Sequence, residues 1–359
     1  MLSKSDKAVK IREGQSLKTD SLETYIRNAM ELPEAHMEVL QFPSGYSNLT
    51  YLLKFGKKEL VLRKPPQGVK IKSGHDMGRE FRILSGLHPL YNRVPQPFLF
   101  SDKLSIIGTP FYIMERMHGV IFRGHTPKDQ LPDLNQMRKL SEAFVSTLVE
   151  IHSFNYHAAG LENLGRPDGY VKRQIEGWTK RYIKAKTDEF KPLEKVYTWL
   201  NKNIPPEKRS ALIHNDFKYD NLILSQDKSL NIKGILDWEM ATIGDPLMDL
   251  GTTLGYWIQE SDPDFLKEHS MNITLVKGNL TRSQLVENYA QKSNIIMGNI
   301  LFYYVFGLFK IAAIIQQIYF RYKNGFTTDI RFKNLDRAVA MYGKMGLQAI
   351  QKNKIDNLY

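Results

Sequence analysis

The sequence predicts an α+β fold in two parts, a small antiparallel sheet carrying one helix and then a mainly helical body. Three observations lead there. Short strand-like runs, separated by turns bearing Gly and Pro, fill the first third of the chain. Beyond Leu131 the apolar residues recur at the three-to-four spacing of amphipathic helices. One apolar hairpin interrupts those helices, Leu222-Ile223-Leu224 returning through Ser225-Gln226-Asp227-Lys228 to Ile232-Lys233-Gly234-Ile235-Leu236.

Element by element, residues 1 to about 37 read as a polar tail and a helix from Asp20 to Met30 with Ser21 as its N-cap. Strands are expected at Glu38–Phe42, Leu49–Phe55 and Glu59–Arg63, with turns at Pro43-Ser44-Gly45 and Gly56-Lys57-Lys58. Met77, Phe81, Leu84 and Leu87 line one face of a helix from His75 to Leu87, and strands follow at Pro97–Ser101 and Phe111–Met117. Gly119 marks a change of composition and a hinge, which divides the chain into a first lobe, residues 1–117, and a second, residues 118–359. Helices are expected at Leu134–Ser153, Tyr170–Thr187, Phe190–Asn203, Pro246–Gln259, Thr281–Asn294 and Asn334–Gln351. The stretch from Gln259 to Val286, with Pro263 and Gly278, reads as a surface loop with short structure.

Composition narrows the classes of function. No cysteine occurs among the 359 residues, which excludes disulfides, thiolate metal sites and a cysteine nucleophile. The N-terminus has no apolar signal segment, so a cytoplasmic protein is expected. Ile295–Phe320 is apolar enough to weigh as a membrane span, but Asn299, Lys310, Gln316 and Gln317 interrupt it, and a buried helix with no stable membrane insertion is the reading. Formal charge is +12, yet the Lys and Arg are scattered and no nucleic-acid-binding module is visible, so no nucleic-acid partner is expected. A basic balance favours an anionic small-molecule substrate over a cationic one.

The chemistry concentrates in His214-Asn215-Asp216-Phe217-Lys218-Tyr219-Asp220-Asn221, followed across the hairpin by Asp237-Trp238-Glu239. Asp216 is a carboxylate suited to accept the proton of a substrate hydroxyl. Asn221 and Asp237 are oxygen donors suited to Mg²⁺, and the hairpin between them returns the chain to its starting point. Asp249 reads as a buried acid accepting backbone N–H groups of the loop, and His214 as a support for loop geometry.

The motif H-x-D-x-K-x-x-N, a hairpin and an Asp resembles the catalytic and metal loops of protein-kinase-like enzymes. Asp237-Trp238-Glu239 through Gly244-Asp245-Pro246-Leu247-Met248-Asp249-Leu250-Gly251 is similar to the aminoglycoside phosphotransferase and choline kinase group of small-molecule kinases. Leu60-Val61-Leu62-Arg63-Lys64-Pro65-Pro66 and Phe154-Asn155-Tyr156-His157 resemble the branch found fused to some acyl-CoA dehydrogenases. The resemblance runs from about Phe42 to Arg321. It implies a protein-kinase-like bilobal fold, with a small antiparallel-sheet N-lobe and a mainly helical C-lobe, and phosphoryl transfer from ATP with Mg²⁺ to a small-molecule hydroxyl. For the acceptor it implies a hydroxyacyl compound, such as a hydroxyacyl-CoA. An aminoglycoside or choline-type kinase is the alternative, and an inactive kinase-fold nucleotide sensor or scaffold stands as a reading of another class.

Roles follow residue by residue. The turn Gly45–Thr50 would cover the phosphates, with Ser47 and Asn48 as side-chain contacts. Arg63 stands where protein kinases place the phosphate-pairing lysine, with Glu80 as its partner; surface charges at Arg63 and Lys64, or a pairing of Glu80 with Arg79 or Arg82, are the structural alternatives. Backbone groups of Glu115 and Met117 would meet the adenine edge. Lys218 would neutralise charge on the transferring phosphoryl group beside the base, Asp216. Glu239 reads either as a metal or substrate contact or as a charge that fixes its loop. Trp178, Arg181 and Tyr182, one turn apart on a helix, suit a flat or anionic acceptor, although such residues more often serve helix packing with a solvated charge.

Overall fold

The computed structural model describes residues 7–43, 48–66, 76–206 and 209–359. The chain forms two compact units, one of residues 1–121, 156–161 and 221–241, the other of residues 122–155, 162–220 and 242–359. These bounds differ from a single cut at 117/118, because the hairpin after Asn221 groups with the first unit.

In the first unit, α1 (Thr19–Ala29) sends Leu22 and Ile26 into the core. Ser21 is not its N-cap: Lys18 takes that position without a side-chain bond, and the Ser21 hydroxyl donates to the Ile106 carbonyl at 2.7 Å. Next come β1 (Met37–Gln41), β2 (Leu49–Phe55) and β3 (Lys58–Lys64), then α2 (Met77–Leu87), whose cap Asp76 accepts from the Arg79 N–H at 2.9 Å. β4 (Pro97–Ser101) leads through the one-turn α3 (Leu104–Ile107) to β5 (Phe111–Glu115), which ends two residues before its expected limit. All pairings are antiparallel, in the order β1-β2-β3-β5-β4. Tyr51, Leu53, Phe55, Leu60, Leu62, Phe111 and Ile113 are fully buried and form one core with α1. β3 is central and covered on both faces, so Arg63 and Lys64 are both buried rather than surface charges.

The second unit starts with α4 (Leu134–His152), entered through a capping box of Asp133 and Gln136, then α5 (Tyr170–Ala185), α6 (Lys191–Lys202) and β6 (Ala211–Ile213). The hairpin β7 (Leu222–Leu224) and β8 (Ile232–Ile235) belongs to the first unit, where Val120 pairs with Leu224 by N–H to carbonyl bonds of 2.9 and 2.8 Å. Gly119 permits that approach, since a Cβ there would lie 2.3 Å from the Leu224 carbonyl oxygen. Back in the second unit, β9 (Thr242–Gly244) pairs antiparallel with β6 and leads into α7 (Pro246–Tyr256), every residue of which is buried. α8 (Asp264–Glu268), α9 (Arg282–Ser293), α10 (Ile300–Lys323) and α11 (Leu335–Lys352) complete it.

α10 is long and apolar enough to cross a bilayer, but 78% of its apolar window is buried within the protein. It packs on α7 at backbone distance: a Cβ on Gly251 would meet the Tyr303 carbonyl oxygen at 2.1 Å, and one on Gly307 would meet the Gly251 carbonyl oxygen at 2.0 Å. The segment before α9 is not simply a surface loop. Leu266, Ile273 and Leu280 are buried, and a fully buried Arg282–Asp262 ion pair ties it down, with Arg282 also donating to the carbonyls of Trp257 and Ile355 at 2.9 and 2.8 Å.

Candidate active site

In the first unit, antiparallel register sets Arg63 of β3 opposite Thr50 and Tyr112, at the buried end of the strand. Its guanidinium meets three carboxylates: Nη1 donates to Glu80 Oε1 at 2.5 Å, and Nη2 to Asp237 Oδ1 at 2.9 Å and Glu239 Oε2 at 3.4 Å. Asn48 Nδ2 also donates to Glu239 Oε2, at 2.6 Å. Arg79 bonds the backbone of the same turn, through Nη1 to the Glu239 carbonyl at 3.1 Å and Nη2 to the Ala241 carbonyl at 2.6 Å. Ser47 lies outside the described residues. Burial pushes the Glu80 carboxyl above its ordinary range, against the pull of Arg63 and with the help of the Asp237 charge.

Asn221 and Asp237 flank the base of the β7–β8 hairpin, where Leu222 pairs with Ile235 and the Leu236 N–H donates to the Asn221 carbonyl at 2.8 Å. Asp237 has φ +68°, a left-handed conformation that Asp tolerates better than most residues. Trp238, fully buried, donates Nε1–H to the Ile235 carbonyl at 3.0 Å and anchors the turn. Three carboxylates around one guanidinium leave this cluster net acidic, even with Arg79 alongside. Among the described residues no group of three or more His, Asp or Glu is placed to hold a metal. Such a donor set suits Mg²⁺, which takes one or two protein oxygens and leaves other positions to phosphates and water. At the end of β5, Glu115 commits its N–H to the Gln96 carbonyl at 2.8 Å, and the Met117 carbonyl accepts from Arg116 Nη1 at 3.1 Å.

In the second unit, the 214–220 loop hangs on Asp249. Its carboxylate accepts the N–H of His214 at 2.6 Å and of Asn215 at 2.8 Å, and His152 Nε2 lies 3.2 Å away, with His152 Nδ1 2.6 Å from the Tyr289 hydroxyl. Burial alone would raise the Asp249 carboxyl, but the His152 hydrogen bond and the charges of His152, His214 and Lys310 hold it below the ordinary range. Phe217 packs its ring 4.5 Å from that of Phe144, and its carbonyl accepts from Thr253 Oγ1 at 3.0 Å. So braced, Asp216 accepts from Lys218 Nζ at 2.7 Å, and Lys218 also sits 4.9 Å above the Tyr256 ring. The lysine is held well above its usual range: burial opposes the charge, but Asp216 and Asp220 outweigh it. Asp220 is pushed up to about 6 by burial, against the Lys218 charge.

The three acceptor candidates separate. Tyr182 is fully buried against Tyr197 and Phe309 and is a core residue. Arg181 is exposed and stacks over the Trp178 ring at 4.5 Å. Sequence reasoning missed the β6–β9 pair, whose strands of three residues are too short to show a period. It also passed over Lys310, treated as a mere break in an apolar run, whose Nζ donates to the Asn215 carbonyl at 2.7 Å.

Residues 38–271 match the phosphotransferase enzyme family. The chain belongs to that family. Its fold is that of protein-kinase-like small-molecule kinases: a candidate aminoglycoside phosphotransferase of Ralstonia eutropha superposes with TM-score 0.77 at 25% identity, covering 94% of this chain and 99% of that one. Choline kinase of Cryptosporidium parvum superposes with TM-score 0.66 at 13% identity, covering 95% and 98%. In sequence, the chain is 35% identical to acyl-CoA dehydrogenase family member 10 of Mus musculus over 88% of its own length, but spans 29% of that relative.

Proposed function

We propose that this phosphotransferase moves the γ-phosphoryl group of ATP, with Mg²⁺, to the hydroxyl of a small anionic acceptor, a hydroxyacyl compound such as a hydroxyacyl-CoA, in a cytoplasmic setting. The observation that carries the reading is the acidic cluster on Arg63, in which Asp237 stands at the base of the hairpin that also bears Asn221. Asn221 and Asp237 would hold the metal, which when bound supplies neutralisation of the phosphate oxygens. Arg63, fixed by Glu80, offers its charge to the phosphates, and Glu239 organises Arg63 and Asn48 rather than meeting the acceptor.

Asp216 accepts the hydroxyl proton and orients the oxygen for in-line attack, while Lys218, bonded to Asp216, brings positive charge to the reacting group. Exposed Arg181, stacked on Trp178, supplies a cation for an acceptor carboxylate or phosphate. The relative named as an acyl-CoA dehydrogenase family member and the net charge of +12 both favour an anionic acyl acceptor over an aminoglycoside or choline. An ATP-consumption screen across hydroxyacyl-CoAs, free hydroxy acids, aminoglycosides, choline and sugars tests this. Turnover confined to cationic acceptors overturns the substrate class. Mg²⁺-ATP binding with no turnover on any hydroxyl compound points instead to a nucleotide sensor.

A further inference from the structure

Lys310 is the one charged residue between Ile300 and Phe320 of α10, and it is buried, 2% exposed. A lysine so placed carries a large desolvation cost and is retained only where its charge meets something. What it meets is the loop that carries Asp216. Nζ donates to the Asn215 carbonyl at 2.7 Å and lies 3.4 Å from Asn215 Oδ1 and 3.5 Å from Thr252 Oγ1, with the Trp178 ring 5.8 Å away. Asn215 is itself left-handed, φ +66°, and its amide also meets the Tyr170 hydroxyl at 3.2 Å. The residue just before the base is therefore gripped at its backbone carbonyl and its side chain at once.

We propose that Lys310 is a positioning residue for phosphoryl transfer: its ammonium clamps Asn215 and so aims Asp216, and loss of its proton relaxes the loop. The proposal rests on reading Asp216 as the base. Burial lowers the Lys310 pKa to about 8, within reach of an assay, and the charged groups facing it divide. Asp249 on α7 and Asp216 on the loop favour the ammonium, whereas Lys218 and Arg181 of α5 oppose it. α6 and α11, which also pack on α10, bury Leu193, Val196 and Leu200, and Val339, Tyr342 and Met345. A neutral amine still offers N–H groups, but its bond to a carbonyl is weaker than that of an ammonium.

Amide hydrogen exchange followed by mass spectrometry, corrected for intrinsic rates, reads the clamp without any catalysis. Peptides covering His214–Phe217 in the wild-type protein should lose roughly 10-fold in protection as pH rises through about 8. Lys310→Met should show low protection in this peptide at all pH values, with thermal stability unchanged or raised, because the desolvation cost is gone. Lys310→Arg, whose guanidinium stays charged, should keep protection with no step. Wild-type protection and its pH step persisting in either variant overturn the proposal. So does a fall in thermal stability of Lys310→Met with loop protection intact, the mark of a merely structural role. Turnover, where an acceptor is in hand, should show the same alkaline limb; a wild-type protein without kinase activity sinks the functional reading and leaves the exchange result to stand on its own.

Discussion

Two buried carboxylates, Glu80 in the first unit and Asp249 in the second, are held in opposite ways. Asp249 takes two loop N–H groups and His152, and its acidity is strengthened despite complete burial. Glu80 shares one guanidinium with Asp237 and Glu239, and its acidity is weakened by burial and by the neighbouring charge. One site is complete as it stands. The other sets three carboxylates around the Arg63 guanidinium, and that crowding of like charge opposes the ionisation of Glu80. The two acids thus differ in their company: Asp249 braces a loop, and Glu80 holds Arg63 within an acidic cluster.

The largest effect should come from Asp216→Asn, with phosphoryl transfer down on the order of 10³-fold and nucleotide affinity kept, as read by ATP consumption and calorimetry. Near wild-type turnover would remove the base assignment. Asp249→Ala should cost about 3 kcal/mol in chemical denaturation, since it strips partners from buried backbone donors. A stability within a few tenths of wild type would mean that the loop does not depend on this brace. Asp237→Ala should weaken Mg²⁺-dependent nucleotide binding by roughly 10-fold or more while leaving the fold intact, the reverse of the Asp249 result.

Stability against pH sharpens the contrast further. The folded-state pKa of Asp249 lies below its unfolded value, so its contribution is present above the ordinary carboxylate range and fades as pH falls through the lowered value. Asp249→Asn should flatten that acid limb. Glu80 lies above its unfolded value, so its contribution is present in acid and is lost as pH rises through the raised value. Glu80→Gln should remove this smaller loss, and Asp237→Asn should shift it to lower pH by deleting the charge that raises Glu80. Thermal unfolding from pH 4 to 8 decides; limbs that move together would erase the distinction.

Much of this was legible in the chain. Local patterns located β2, β4, α4 and α6 to within a residue or two, because strand alternation, helical spacing and turn residues act over a few positions. The sequence reading of Asp249 as a buried acid that accepts loop N–H groups matches its bonds to His214 and Asn215. Ser21 was misread because hydroxyl residues suit both caps and tertiary bonds, and here the bond to Ile106, far along the chain, prevailed.

By itself the sequence determined the family and the order of the longer elements, since each depends on residues close together along the chain. Tertiary structure alone decided that Glu239 joins Arg63 and Asn48, that Tyr182 turns into the core, and that Lys310 reaches the Asn215 carbonyl. Those outcomes depend on which distant groups share a space shielded from water. There a charge must find a partner or shift its pKa, and no local pattern records which partner it will be.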